Sequence, residues 1–397
     1  MVADSTHPTA ISSESKAASD LSELRARAEK GDAKAQFSLG DAYAKGEGVV
    51  LDSVEAVKWF RKSADQGNAN AQFNLGSVYY NGEGVQQDMA EALKWYRKAA
   101  EQGDAGAEFN LGLMYDNGKG VPKDQAQALV FWCRAAEQGD SDAEYSLGRM
   151  YLNGEFVSKD IAEAGKMFRK AAEHGDQDAQ FALGLMYFNG NGFPKDQTEA
   201  IKWWRTAAKK GQADAEFNLG RLYFKGESVG KDYAEAFKWW RKAAEQDDSE
   251  AQFCLGLMYF NGDAVWKDYS KAVRWWRAAA EEGQFEAQFN LGLMYLEGAG
   301  ITKDATEAAK WVRKAAEQGD SQAESKLGSM YLDGEGVPKD LAQAHAWMNV
   351  AAARGYEDAK TALETVEKEM TPEQKAEAMK FARDLFARLP KQPQVSE

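Results

Sequence analysis

Apart from carboxylates, few side chains here could carry acid–base, nucleophilic or metal chemistry: the chain of 397 residues has three histidines and two cysteines against 63 Asp and Glu. His7, His174 and His345 lie far apart, no pair has metal-ligand spacing, and no Cys-x-x-Cys accompanies them. Neither a metal site nor a cofactor is expected. Ser13 and Lys16 form a Ser-x-x-Lys, a nucleophile signature of penicillin-binding enzymes. It stands in a Ser-, Thr- and Ala-rich N-terminal stretch with nothing around it from which to build a pocket. The glycine-rich loops lack the Gly-Lys-Ser or Gly-Lys-Thr of a phosphate-cradling loop and read as caps and turns. The carboxylates recur at fixed intervals, as a solvated, repeated face does and a single acid–base pair does not. No catalytic residue is assigned, and the chain is not expected to be an enzyme.

Those intervals describe a repeat. Leu-Gly recurs at Leu39, Leu75, Leu111, Leu147, Leu183, Leu219, Leu255, Leu291 and Leu327, always 36 residues apart, and a Tyr follows each Leu by four positions, from Tyr43 to Tyr331. Nine units follow one another without insertion or deletion, and each encodes two helices. In unit two the first helix is expected from about Asn68 to Asn81, ending at Gly82, which suits a left-handed cap. A Gly-x-Gly-Val-x-Lys-Asp loop follows, as at Gly118 to Asp124. Its Asp opens the second helix, with Glu or Gln three residues on in every unit except the one with Lys271, a capping-box pattern. The second helix carries Trp-x-Arg-Lys-Ala-Ala, as at Trp95 to Ala100, and closes at a Gly such as Gly103; Asp247 stands in that place once.

The same spacing sets the expected core. Ala35, Leu39, Ala42 and Tyr43 form one apolar stripe that should meet Ala56, Trp59 and Ala64, with Gly40 allowing close approach. In the doublets Trp203-Trp204, Trp239-Trp240 and Trp275-Trp276 the first Trp falls in that core column and the second is expected between repeats. A second stripe, Phe73 and Tyr80 or Phe181 and Phe188, should pack on the next repeat. A helix with two apolar stripes cannot bury both alone, so the units must stack. The expected fold is an all-α, right-handed α-solenoid superhelix of nine 36-residue helix-turn-helix repeats with partial capping units. A flexible tail at 1–19 and a capping helix at 20–31 precede the nine units at 32–355. C-terminal capping helices at 356–389, the last opened by Thr371 and Pro372, and a flexible tail at 390–397 complete the chain.

Composition narrows the partners. Lys and Arg number 49 against 63 Asp and Glu, a net charge of −14, which argues against nucleic acid or an anionic membrane surface. No stretch approaches the roughly 18 to 20 apolar residues of a membrane span, so no membrane insertion is expected. Cys133 and Cys254 fall at non-equivalent repeat positions and imply no disulfide framework. Met1 to Ser19 has neither the basic start nor the apolar core of a signal peptide. As written the sequence points to a cytoplasmic protein, and to a periplasmic or secreted one if an export signal has been removed. Polar caps at both ends of the array favour a monomer.

The patterns Ala-x-x-x-Leu-Gly-x-x-Tyr, Gly-x-Gly-Val-x-x-Asp and Ala-x-x-Trp-x-x-x-Ala-Ala, held in phase through nine units over residues 20–389, resemble the Sel-one-like repeat (SLR) family, a longer relative of the tetratricopeptide repeat. The resemblance implies an adaptor or scaffold, since family members serve in bacterial signalling, envelope and host-interaction proteins and in eukaryotic protein quality control. A cysteine-rich bacterial branch linked to binding β-lactam antibiotics is no guide, because its repeat-wise cysteines are missing here.

In related superhelices the polar stripe at positions equivalent to 34, 38 and 45 lines the concave groove. Its middle column contains Asn74, Asn110, Asn218 and Asn290, with Ser38, Ser146, Ala182, Cys254 and Lys326 at the remaining positions. An amide both donates and accepts, which suits a ladder that grips a peptide backbone. The third column, with Asn81, Asn117, Asn153, Asn189 and Asn261, adjoins the cap glycines, where a local turn role is favoured. Bordering the groove run Leu113, Arg149, Leu185, Arg221, Leu257 and Leu293. The leucines adjoin the inter-repeat stripe, which favours their burial, but a column that admits two arginines is not sealed. It suits a segment with apolar anchors and an occasional carboxylate. The leading reading is therefore a non-enzymatic protein-interaction scaffold or adaptor, with a segment of a partner protein held across units three to eight. The alternative is a regulatory or small-ligand binder, of a cell-wall fragment for example, using the irregular patch of units six and seven: Gly226 to Gly230, Asp247 and Asp263-Ala264-Val265-Trp266.

Overall fold

The structure, a computed structural model, describes residues 20–390. The tails expected at either end, with His7, Ser13 and Lys16 in the first, lie outside the described residues apart from Pro390. Among the described residues there are helices, turns and loops and no strand: the fold is an all-α solenoid of helix pairs. The chain divides into two compact units, one up to Trp203 and one from Trp204 onward.

Local sequence explains where the helices begin and end. Asn68 caps Ala69–Asn81 by accepting from the Ala71 N–H at 3.0 Å, and Gly82 closes it at a φ of 81°. Asp88 caps Met89–Ala100, accepting from the amides of Ala90 and Glu91 at 2.9 and 3.1 Å. The Asp half of the expected capping box is thus present, but the Glu half is not. The Asp88 N–H donates instead to the carbonyl of Tyr79 at 2.9 Å, and the same bond joins Asp52 to Tyr43, Asp160 to Tyr151 and Asp340 to Tyr331. That bond satisfies the donor a capping Glu would serve and ties the two helices of one repeat together. The freed Glu turns to a Lys three residues on, Glu91 to Lys94 and Glu163 to Lys166, each at 2.7 Å. A complete capping box does form between Thr371 and Gln374, where it opens Pro372–Arg388.

In the first compact unit a helix at 20–29 leads into the repeats, and Leu39, Leu75, Leu111, Leu147 and Leu183 are buried. The ring facing each Leu-Gly pair lies one residue later than the sequence suggests. Phe60, Tyr96, Trp132 and Phe168 are buried against Gly40, Gly76, Gly112 and Gly148, where an added Cβ would stand 2.7, 2.7, 2.3 and 2.7 Å from ring atoms. Trp59, expected in that place, is half-buried, with Lys62 Nζ 4.1 Å from its ring centre. The glycine leaves an empty slot on the first helix, and the residue turned about 100° beyond Trp59 on the second is the one that enters it. The inter-repeat stripe behaves as expected: Phe73 comes within 3.1 Å of where Gly106 would carry a Cβ, and Lys119 donates to the Tyr80 hydroxyl at 2.9 Å. Arginines of the second helices clamp the next repeat's Tyr: Arg97 donates to the Tyr115 hydroxyl at 2.7 Å, and Arg169 donates to that of Tyr187.

In the second compact unit the doublet order is reversed in the same way. Trp240 and Trp276 are buried against Gly220 and Gly256 and donate their indole N–H to the carbonyls of Phe217 and Phe253, both at 3.2 Å, while Trp239 and Trp275 are half-buried. Glu357–Lys368 and Pro372–Arg388 close the array, burying Val366, Met370 and Ala378 against the last repeats. The irregular residues keep the common backbone path. Asp247 adopts a φ of 63° where other repeats use Gly, and Ser228 and Ala264 do the same at 64° and 60°, as does Phe156 of repeat four at 67°.

Candidate functional site: two equivalent inter-repeat clefts

Two clefts lie between consecutive first helices, one in each compact unit. The first, of about 320 Å³, lies between Ala105–Asn117 and Ser141–Asn153 and brings Leu113 together with Arg149 above Trp132, with Ser146 between them. The second, of about 220 Å³, lies between Ala213–Lys225 and Ser249–Asn261 and brings Arg221 together with Leu257 above Trp240, with Cys254 between them. They are built from the same repeat positions: Leu113 corresponds to Arg221, Arg149 to Leu257, Trp132 to Trp240 and Ser146 to Cys254. Adjacent first helices form the walls and the second-helix ring the floor. A small residue in the middle column leaves the space open.

Their chemistry differs. The first cleft is rimmed by Asp116, Asn153 and Glu155 as well as Arg149, which is exposed and forms no ion pair among the described residues. The second presents only apolar surface inside, from Phe217, Phe224, Trp240, Cys254 and Leu257, with Arg221 and Lys225 beside it. The Arg221 guanidinium donates to the neutral Asn218 Oδ1 at 3.0 Å. Burial, reinforced by Glu250, Asp248 and Glu286, pushes the Cys254 thiol up to about 12. It therefore stays protonated and serves as a small apolar wall rather than a nucleophile.

Apart from Asn117 and Asn153, which line the first cleft, the other anticipated residues lie outside the two clefts. Leu185 and Leu293 are half-buried, the latter against the last repeats. Asn110 and Asn218 donate to carbonyls of their own helices, those of Gly106 and Asp214, at 2.9 and 2.8 Å. Asn74 and Asn290 are half-buried, and their side-chain amides form no hydrogen bond with another described residue. Asn81 and Asn153 of the third column donate to Glu83 and Glu155 at 3.0 and 2.9 Å, the local turn role their position suggested. In the irregular patch Trp266 is 94% exposed.

Sequence reasoning missed a buried polar column on the first helices, running from Gln36 through Gln72, Glu108 and Glu216 to Glu324. Each of these meets the residue 30 positions later, at the end of its own repeat's second helix. Gln102 donates to Gln72 at 2.7 Å, Gln138 to Glu108 at 2.7 Å and Gln246 to Glu216 at 2.8 Å. His174 Nδ1 lies 2.8 Å from Glu144 in the same arrangement, and Arg354 Nε lies 3.0 Å from Glu324. The glutamines also reach back one repeat, Gln72 donating to the Ala64 carbonyl at 3.1 Å. The signal was the recurring Ala-Gln or Ala-Glu ahead of an aromatic residue. Burial raises the carboxyl's pKa at Glu108, at Glu216 and, to about 8, at Glu324. His345 is buried with Nε2 3.4 Å from Glu367, and its pKa is lowered by that burial. No helix among the described residues is long and apolar enough to cross a membrane.

The Sel1 repeat family model matches nine consecutive segments, residues 33–68, 69–104, 105–140, 141–176, 177–212, 213–248, 249–284, 285–320 and 321–356. No curated protein matches the chain. Among solved structures, a protective antigen present in uropathogenic Escherichia coli strains, displaying an SLR fold, is 35% identical with a TM-score of 0.54, the match covering 94% of this chain and 90% of that one. A Sel1 repeat protein from Oxalobacter formigenes is 35% identical with a TM-score of 0.57, covering 78% of this chain and 90% of that one.

Proposed function

Because the chain belongs to the Sel1 repeat family, whose members generally mediate protein–protein contacts without catalysis, we propose that it is a scaffold or adaptor that holds a segment of a partner protein along the face of its first helices. The observation that carries this reading is the recurrence of one open cleft at equivalent positions of repeats three–four and six–seven, each with a Leu and an Arg on opposite walls. Such a slot accepts a side chain, and several in register accept a chain, so that weak contacts add. Asn74 and Asn290 offer free amides for the backbone of such a segment. The protein acts as a monomer in this reading, and its acidity directs it away from nucleic acid.

A small-ligand site in the irregular patch of repeats six and seven is less well supported. The residues that depart from the repeat there preserve its left-handed turns. The adjacent cleft, at about 220 Å³, is smaller than the roughly 300–1,000 Å³ of a typical small-molecule site. Affinity capture from native lysate should compare the wild type with Asn74→Ala/Asn110→Ala/Asn218→Ala/Asn290→Ala and with Arg149→Leu/Arg221→Leu. Loss of partners by variants with unchanged circular dichroism is the expected result. Retention of the same partners by both sinks the groove assignment, and enrichment of no protein brings the small-ligand reading forward.

A further inference from the structure

We propose that the cleft between repeats six and seven takes an apolar side chain of a partner segment that carries an Asp or Glu within one helical turn of it. This rests on the scaffold reading and names the partner's chemistry at one place. The cleft offers about 220 Å³ bounded by Phe217, Phe224 and Trp240 and by Leu257 and Cys254. An apolar cavity of about 150 Å³ is enough for benzene, so a Leu, Met or Phe side chain fits. Nothing polar inside would be stripped of water without a partner, so filling it removes apolar surface from solvent at no polar cost.

The charges beside it select the flanking residue. Arg221 spends its guanidinium on a neutral amide and forms no ion pair among the described residues. Lys225, one turn further along the same helix, has Glu227 at 3.7 Å, with both side chains about half exposed. Two cations thus stand at one end of the cavity with their charge little compensated. At the other end the sign reverses: Asp214 and Glu250 occupy the second positions of the two wall helices, Ala213–Lys225 and Ser249–Asn261. Asp214 is seven residues from Arg221, roughly 10 Å along the axis. A carboxylate on the bound segment is attracted to the Arg221–Lys225 end and repelled from the other, which fixes the segment's direction as well as its composition. The equivalent cleft of repeats three and four carries Asp116 and Asn117 where this one has Phe224 and Lys225, and so lacks this field.

The repeat itself supplies substitutions the fold tolerates. Arg221→Leu copies Leu113 and Leu185, Lys225→Asn copies Asn117 and Asn189, and Cys254→Met places an unbranched chain where Lys326 already stands. Random dodecapeptides displayed on phage would be selected against the whole chain. The best would be synthesised with a fluorescein label, and their affinities measured by anisotropy. Selected peptides should pair Leu, Met, Ile or Phe with Asp or Glu within four residues. Cys254→Met should abolish their binding, and Arg221→Leu/Lys225→Asn should weaken it roughly tenfold to a hundredfold, the worth of a charged hydrogen bond. Selection repeated on that double variant should return apolar peptides without the acid. Peptides indifferent to both variants, or with no acidic preference, overturn the inference, as does failure to select any peptide. If lysate partners are still lost from the groove variants above, the scaffold reading survives that failure.

Discussion

Replacing Glu108 with Gln tests the buried polar column most directly. The side chain is buried and accepts from Gln138 Nε2 at 2.7 Å. It occupies the place from which Gln72 and Gln288 donate to the preceding repeat's carbonyls, those of Ala64 and Ala280, at 3.1 and 3.0 Å. An ionised Glu108 has no proton to give to the corresponding Ala100 carbonyl, whose partner is the Gly103 N–H at 2.9 Å. Glu108→Gln keeps the bond from Gln138, as Gln72 keeps that from Gln102 at 2.7 Å, and adds one buried amide–carbonyl bond. Such a bond is worth about 0.5–1.5 kcal/mol net, so the variant should be more stable by about 1 kcal/mol at neutral to alkaline pH. The pH dependence has a definite sign. Burial is the main cause that raises Glu108 above its ordinary value of 4.5, against the opposing pull of Arg134 and Gln138. The folded state therefore binds this proton more tightly than the unfolded state. Stability from the protonated form is fully present below pH 4.5 and is lost as pH rises through the higher folded value. A protonated Glu108 can itself donate to Ala100, so the advantage of Gln should be small in acid and open as the pH rises. Urea unfolding followed by circular dichroism at about pH 4.5 and 8 reads this as a midpoint gain confined to the higher pH. A lower midpoint at the higher pH, or a gain equal at both, would refute the reasoning.

Four further substitutions test the frame that holds the clefts. Asp160→Ala removes the oxygen that accepts the Glu163 N–H at 2.9 Å and should cost about 1 kcal/mol. Glu163→Ala loses only the surface pair with Lys166 and should stay within about 0.5 kcal/mol; equal losses in thermal melting would restore the reciprocal capping box. Gly256→Ala sets a Cβ 2.3 Å from the Trp276 ring and should cost about 1–3 kcal/mol, seen as a lower melting temperature with altered near-ultraviolet dichroism. An unchanged melt would mean that Trp276 is not seated there. Ala264→Gly relieves an Ala held at a φ of 60°; the relief of roughly 1–2 kcal/mol exceeds the backbone entropy of Gly, about 0.5–1 kcal/mol, so a modest rise in melting temperature is expected and a fall would count against strain at that turn.

The repeat was legible because each of its constraints is written nine times: Leu-Gly for the close approach, Tyr for the inter-repeat clamp, Asp for the cap. What the sequence hid depends on how one helix is rotated against another. Positions 59 and 60 are both apolar in most repeats, and about 100° of helix separates them. Only the glycine slot on the partner helix decides that Phe60 enters and Trp59 stays half-buried. The Glu of the apparent capping box is displaced by a bond its own segment does not reveal, from the Asp N–H to a Tyr carbonyl nine residues back. The Gln and Glu column went unrecognised because a polar residue on an amphipathic helix ordinarily faces water; a partner 30 residues away makes burial tolerable.

The clefts were half legible, for an instructive reason. Leu113 with Arg149 and Arg221 with Leu257 were members of one column, but nothing in a column shows which of its members face each other across an opening. That depends on what stands between and beneath them: a small Ser146 or Cys254, a Trp floor, and at the mouth Asp116 or Phe224. In a repeat array the positions that recur hold neighbouring units together, so they cannot distinguish one partner from another. Discrimination falls to the positions that vary while the backbone does not. The exchange of Leu and Arg between the two walls is such a variation, since in the proposed reading it reverses where an apolar anchor and a carboxylate are welcome in slots built from the same repeat positions. A scaffold built this way gains selectivity without any new fold, and a single Arg221→Leu exchange should then alter which sequences the second cleft accepts while leaving the helices around it in place.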